Sequence, residues 1–212
     1  MGGLSEALLR FAVSLANKER PRIAVLPTAG GDGDWGIARM YELLSPYADV
    51  DAVRLFGVPE RPRDRIAAAD AVLVPGGNTA NMLAVWRVHG VDETLMSAWK
   101  NGAVLAGWSA GANCWFECSV TDSFRSDLDP LLDGLGMLPG SFCPHFDGEE
   151  SRRPVYRELV ENGFPPGYAA DDGAALHFVG TELHEVVAVG SGARAYRLEP
   201  GSETPLDTRV LP

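Results

Sequence analysis

A serine set between two glycines, Gly107-Trp108-Ser109-Ala110-Gly111, stands where the short apolar run 103–107 gives way to a stretch of helical pattern. This G-x-S-x-G arrangement is the kind of elbow that presents a nucleophilic hydroxyl. The requirement is steric. A serine at a sharp strand-to-helix turn sits in a strained backbone region, and side chains beside it would strike the adjoining strand and helix. Glycines remove those clashes. The turn lifts the hydroxyl above the C-terminal edge of a parallel sheet, where open α/β folds bind ligands. The N–H groups that open the following helix favour negative charge developing there. The plainer use of the same residues is a serine N-cap.

A nucleophile of this kind needs donors for the oxyanion it creates. Pro75-Gly76-Gly77-Asn78-Thr79 ends the preceding apolar strand and, in a parallel sheet, emerges beside the elbow. Two glycines let backbone approach a substrate closely. The N–H groups of Gly77 and Ala110 are therefore the expected oxyanion donors. The alternative is an ordinary turn in which Asn78 or Thr79 caps the next helix.

The hydroxyl also needs a base. Of the four histidines, His89 belongs to a polar helix end, and His177 and His184 flank a Val-Gly-Thr turn late in the chain. His145, in Phe142-Cys143-Pro144-His145-Phe146-Asp147, closes an extended stretch after the elbow and is the best candidate base. A carboxylate should orient its ring. Asp171-Asp172-Gly173 precedes an apolar strand, Asp122 lies between serine and histidine, and Asp147 and Glu149 adjoin the histidine in sequence. The residues themselves leave that choice open. The commoner fate of a loop aspartate is plain solvation.

The elements that must position these groups follow from the periodicity. Residues 4–18, 35–44, 79–89, 91–100 and 151–162 read as helices, as does the chain from Ser109 onward. Residues 22–28, 50–56, 68–74 and 103–107 read as short buried strands. Residues 141–146 look extended, and 174–178, 185–189 and 193–198 read as an antiparallel finish. Alternating strands and helices with glycine-rich strand ends imply an α/β fold, a three-layer sandwich with a mostly parallel sheet. No repeat or linker interrupts the pattern, so 1–212 is expected to form a single domain.

Composition bounds the rest. The chain has 212 residues, 46% hydrophobic, with a net charge of −11. That field repels nucleic acid and anionic membrane, so neither is an expected partner. No apolar run reaches the roughly 18 residues of a membrane span, and Met1-Gly2-Gly3-Leu4-Ser5-Glu6 lacks a signal-peptide pattern. A cytoplasmic location is expected, with Cys114, Cys118 and Cys143 as reduced thiols. Cys114 and Cys118 are spaced to share a helix face. Buried small residues are the expected use there, ahead of a two-sulfur metal site. The oligomeric state is not written in the sequence; a homodimer stays open.

These residues together resemble peptidase family S51, the group of peptidase E (aspartyl dipeptidase) and cyanophycinase. The resemblance rests on Pro75-Gly76-Gly77-Asn78-Thr79, on Gly107-Trp108-Ser109-Ala110-Gly111-Ala112-Asn113, on Leu138-Pro139 and on Pro144-His145-Phe146, and runs from Arg22 to Leu198. It implies a fold like class I glutamine amidotransferase domains, with serine in place of their elbow cysteine. It matches Ser109 to the nucleophile, His145 to the base, and Gly77 and Ala110 to the oxyanion donors. Asp172, in Asp171-Asp172-Gly173-Ala174-Ala175-Leu176, matches the acid of cyanophycinase-like members, and Asp122 matches the position assigned in peptidase E itself.

Peptidase E also implies an arginine after the histidine that holds the substrate's aspartyl carboxylate. Arg152 is the nearest match, with Arg153 beside it. Cations at the start of a helix oppose its dipole, which argues for a functional reason, though both could be solvated surface residues. Arg152 and Asn78 are the candidate substrate-binding residues. The implied activity is a serine dipeptidase that cleaves small peptides after an N-terminal aspartate through an acyl-enzyme, with no metal or organic cofactor. The alternatives are a cyanophycinase-like hydrolase of β-aspartyl peptides, an α/β-hydrolase esterase using Ser109, Asp172 and His177, and a non-catalytic amidotransferase-like binding domain.

Overall fold

The computed structural model of the protein describes residues 5–212, so the expected helix start at Leu4 lies outside the described residues. Helix α1 (Glu6–Ser14) buries Leu8, Leu9, Ala12 and Val13 and stops short of the expected end at Lys18. The chain divides into two compact units, residues 9–111 and residues 112–212 together with 5–8.

In the first unit, β1 (Arg22–Val25), β2 (Asp49–Ala52), β3 (Ala71–Val74) and β4 (Val104–Gly107) form a four-stranded sheet in the order β2-β1-β3-β4. Every pairing in it is parallel. All four residues of β3 are buried, as expected of a parallel strand covered on both faces. Helices α2 (Asp34–Leu44), α3 (Pro62–Ala67), α4 (Thr79–His89) and α5 (Val91–Lys100) connect the strands.

Two expected strands come out shorter than their apolar runs. After β1, Pro27 opens a single 3-10 turn, Pro27–Gly30, because its fixed φ and missing N–H suit a helix start and interrupt a ladder. Strand β2 ends early because the Asp32 Oδ2 oxygen accepts the N–H groups of Leu55 (2.5 Å) and Phe56 (2.8 Å), which would otherwise seek a strand partner. Helix α3 was not expected at all; its six residues carry little apolar periodicity.

Helix α6 (Ala110–Asn113) starts in the first unit and runs on into the second, which holds β5 (Phe116–Thr121), β6 (Asp129–Leu131), β7 (Leu138–Cys143), α7 (Arg152–Glu161), β8 (Gly167–Ala170), β9 (Ala174–Val179), β10 (Glu182–Ala188), β11 (Ala195–Glu199), β12 (Ser202–Pro205) and β13 (Thr208–Val210). One sheet runs β12-β11-β8-β7-β5-β6, parallel across β5, β7 and β8 and antiparallel at both ends. A second sheet runs β13-β10-β9. The α/β class with mostly parallel sheets is the one the alternating pattern implies.

The helix expected after the elbow is only the four residues of α6. The aromatic and β-branched character of Phe116-Glu117-Cys118-Ser119-Val120-Thr121 favours the pleat of β5 instead. Cys114 and Cys118 therefore do not share a helix face. No disulfide joins the three cysteines, and all are buried.

The core beneath α7 gathers Cys118, Val120, Cys143, Phe146, Tyr156, Val160, Phe164, Ala169 and Leu198. Tyr156 meets the rings of Phe146 and Phe164 edge-on and shares a 2.7 Å hydrogen bond with the Ser141 hydroxyl. That contact satisfies the one polar atom this large side chain brings inside.

Candidate active site

The elbow lies in the first unit and is built by close backbone approach. Residues Val74 and Gly107 are register partners across β3 and β4, and the Trp108 N–H donates to the Val74 carbonyl at 3.2 Å. A Cβ on Gly111 would fall on that same carbonyl oxygen, and one on Gly107 would fall on the carbonyl of Gly111. Gly107 is thus required by a contact within the turn and Gly111 by the neighbouring strand β3. Ser109 itself has φ +54°, the left-handed region that serine seldom occupies. Such a conformation costs about 1–3 kcal/mol and persists where the surroundings enforce it.

The glycine loop after β3 lies directly against the serine. A Cβ placed on Gly76 would stand 3.0 Å from the Ser109 Cβ and 3.4 Å from its Oγ. Gly77 has φ +144°, and any Cβ there would collide with the Ala29 carbonyl. That carbonyl also accepts the Asn78 N–H at 2.9 Å, which pins the loop. Ala110 opens α6, where an N–H has no acceptor within its own helix. The sequence-derived donor pair, Gly77 and Ala110, therefore flanks a loop and a turn that meet at Ser109.

Asn78 is the N-cap of α4, its side-chain oxygen accepting the Asn81 N–H at 2.8 Å. The structure shows the cap among the uses expected of it.

The second unit carries the histidine and its acid. His145 follows β7 with φ +54°, and its side chain is 16% exposed. Its Nδ1 lies 2.8 Å from the Asp172 Oδ1. With that pairing the Nδ1 proton is held by the carboxylate and Nε2 becomes the basic atom. The Asp172 backbone N–H donates to the Asp147 Oδ1 at 2.8 Å, so Asp147 anchors the acid's backbone and does not touch the ring.

The other acids have different uses. Asp171 is buried, accepting the Arg194 N–H at 3.0 Å and the Tyr196 hydroxyl at 3.4 Å, and burial raises its carboxyl above the usual carboxylate range. Glu149 pairs with Arg152, and Asp122 is an exposed residue just past β5. His177 pairs with Glu185 at 3.3 Å, and Asp172, the acid of the esterase order, is paired with His145.

Arg152 departs from expectation. It is 3% exposed, with Nε donating to Glu149 Oε2 at 2.7 Å and Nη1 to the Val120 carbonyl at 3.1 Å. Its guanidinium joins α7 to β5 and does not present a cation to a substrate. Arg153 is likewise engaged. It forks onto Glu203 and lies over the rings of Phe146 (5.2 Å) and Tyr196 (5.1 Å). Both arginines are placed at the helix start by these partners, which explains a position the helix dipole disfavours. We expect Arg152→Ala to lower stability by about 1–3 kcal/mol, the cost of a lost charged hydrogen bond and ion pair at a buried position, read from the urea midpoint; the Val120 carbonyl keeps the Asn113 Nδ2 donor at 3.2 Å. An unchanged midpoint would show that Val120 and Glu149 do not depend on it.

The chain is similar to known proteins over most of its length. The model of peptidase family S51 matches residues 3–186. An uncharacterized peptidase of Bacillus subtilis (strain 168), YgaJ, is 45% identical over 214 residues, spanning 97% of this chain and 91% of that protein. Peptidase E of Citrobacter koseri is 32% identical over 168 residues, spanning 73% of this chain and 72% of that protein. Among solved structures, a peptidase from an acI-B1 Actinobacterium has a similar fold at a TM-score of 0.71, with 19% identity, 98% of this chain and 92% of that one covered. A putative peptidase E from Listeria monocytogenes EGD-e gives 0.67, with 17% identity and coverage of 87% and 95%. Match length and relatives show that the chain belongs to peptidase family S51, a family of peptidases.

Proposed function

We propose that the protein is a serine-type dipeptidase that hydrolyses small peptides with an N-terminal aspartate. The observation that carries this reading is Ser109, held at φ +54° between two glycines that tolerate no side chain. Backbone strain at a polar residue persists where function holds it.

In the proposed reaction the Ser109 Oγ attacks the carbonyl carbon of the first peptide bond while His145 Nε2 takes its proton. The carbonyl oxygen becomes an oxyanion, met by the N–H groups of Gly77 and Ala110. Collapse breaks the C–N bond, His145 returns the proton to the leaving amine, and an acyl ester remains on Ser109. Water then adds to that ester with His145 again as base, and the N-terminal residue leaves with a new carboxyl group as the serine regains its proton. Asp172 keeps the ring oriented and stabilises the imidazolium formed in each half-reaction. The removal of one oxyanion donor in such sites costs about 10²–10³ in kcat.

The preference for aspartate rests on the likeness to peptidase E. Arg152 does not support it, since its donors serve the interior. A panel of Asp-X, Glu-X, Asn-X, Ala-X and β-Asp-X dipeptides, with the Ser109→Ala protein as blank, tests the reading. Asp-X should be cleaved with the highest kcat/KM. Preferred cleavage of β-Asp-X would assign the cyanophycinase-like activity, and no cleavage of any member would make the chain a binding domain.

No helix among the described residues is long and apolar enough to cross a membrane. Three buried thiols with no disulfide suit a reducing compartment, and the proposed location is the cytoplasm.

A further inference from the structure

Strands β9 and β10 bring together three groups that the peptidase reading does not use. His177 and Glu185 are register partners across the antiparallel pair. Between Leu183, opposite Phe178, and Glu185, opposite His177, strand β10 contains one extra residue, His184. In a regular strand His184 and Glu185 would point to opposite faces. The bulge cancels that alternation and re-aims one side chain. As a result the rings of His177 and His184 lie edge to face with centroids 5.2 Å apart, and His177 Nδ1 is 3.3 Å from Glu185 Oε1. One donor atom from each of His177, His184 and Glu185 lies within 4.8 Å of the others.

We propose that His177, His184 and Glu185 form a site for a divalent transition-metal ion, Zn²⁺ or a close relative. Two imidazoles and one carboxylate are the donor set such ions take, and hard ions that prefer all-oxygen shells are disfavoured by it. Bonds of about 2.0–2.1 Å in tetrahedral geometry put neighbouring donors about 3.4 Å apart, close to the spacing found for His177 and Glu185. His184 is exposed and closes the triangle by turning its side chain. The carboxylate is already oriented. Arg209 of β13 holds Glu185 Oε2 at 2.7 and 2.8 Å, while Oε1 faces His177. That arrangement gives one oxygen to the ion and one to an outer partner, as ligating carboxylates commonly do. The ion would tie β9 to β10 directly, and both to β13 through Arg209. Its fourth position would be held by water or by a group from outside these strands.

The test is metal binding itself. Chelator-treated full-length protein is titrated with Zn²⁺ against a chromophoric competitor, and separately with Co²⁺ followed by its visible absorption. One Zn²⁺ per chain is expected, with affinity weakened about tenfold or more in His184→Ala and in Glu185→Gln. The absorption of four-coordinate Co²⁺ should be lost in the same variants. His184 is exposed, so its replacement leaves the fold intact, checked by circular dichroism. His145→Ala, which removes the other histidine–carboxylate pair of this unit, should keep the ion. No stoichiometric binding by the unaltered protein, equal affinity in His184→Ala, or loss of the ion in His145→Ala would each overturn the proposal.

Discussion

Ser109→Ala is expected to remove peptide hydrolysis, with kcat falling by about 10⁴–10⁶ on whichever dipeptide the unaltered protein cleaves best. The loss is large because the hydroxyl is the atom that forms the bond. What survives is the small acceleration that binding and oxyanion donors supply alone. The substitution keeps a Cβ at φ +54° and leaves the flanking glycines in place, so far-UV circular dichroism and the melting temperature should hardly change. Turnover retained in a preparation free of contaminating peptidase would sink the serine mechanism. The contrast is Cys143→Ala. Cys143 adjoins Pro144 and His145 and is the other nucleophile the local sequence offers. Burial pushes its thiol up to about 12, against the pull of the Arg152 charge, and only the thiolate is nucleophilic. Cys143→Ala should therefore keep most of the activity.

Asp172→Asn should lower kcat by about 10²–10⁴ while KM changes little. The 2.8 Å contact to His145 Nδ1 fixes which ring nitrogen bears the proton, and an amide in its place can donate to Nδ1 and trap the wrong tautomer. The side chain is 44% exposed, so water competes for the pair, which sets the lower end of that range. Asp122→Asn, at an exposed position past β5, is the control and should act like the unaltered protein. If Asp122→Asn shows the larger loss, the His145–Asp172 pair has no part in turnover.

The residues that could be read from the sequence are those whose requirements are local. Ser109 and Gly107 answer to the turn itself, since a Cβ on Gly107 would strike the Gly111 carbonyl, whereas Gly111 also answers to Val74 on the neighbouring strand β3. The runs at β1, β3 and β4 read as strands because each is short, apolar in the main and bounded by turns; β3 is buried throughout, β1 is buried after the exposed Arg22, and β4 is half-buried. The choice among five acids was not local. Asp171 and Asp172 are neighbours with the same chemistry. Only the chain's path past β8 sends one inward to Arg194 and Tyr196 and the other to His145, 27 residues away.

Arg152 shows the same limit. Its charge and place after the histidine are legible, but the Val120 carbonyl that accepts from it is 32 residues earlier, on β5, and that contact converts a candidate substrate ligand into a structural one. The long helix expected after the elbow fails for a similar reason: α6 ends where β5 finds partners in β6 and β7. His184 reaches His177 and Glu185 only because one extra residue in β10 breaks the two-residue alternation. Sequence alone settled which side chains can be strained, buried or basic, since those depend on near neighbours. The tertiary structure decided which of them meet, because pairing across strands and helices depends on register and packing that no single segment encodes.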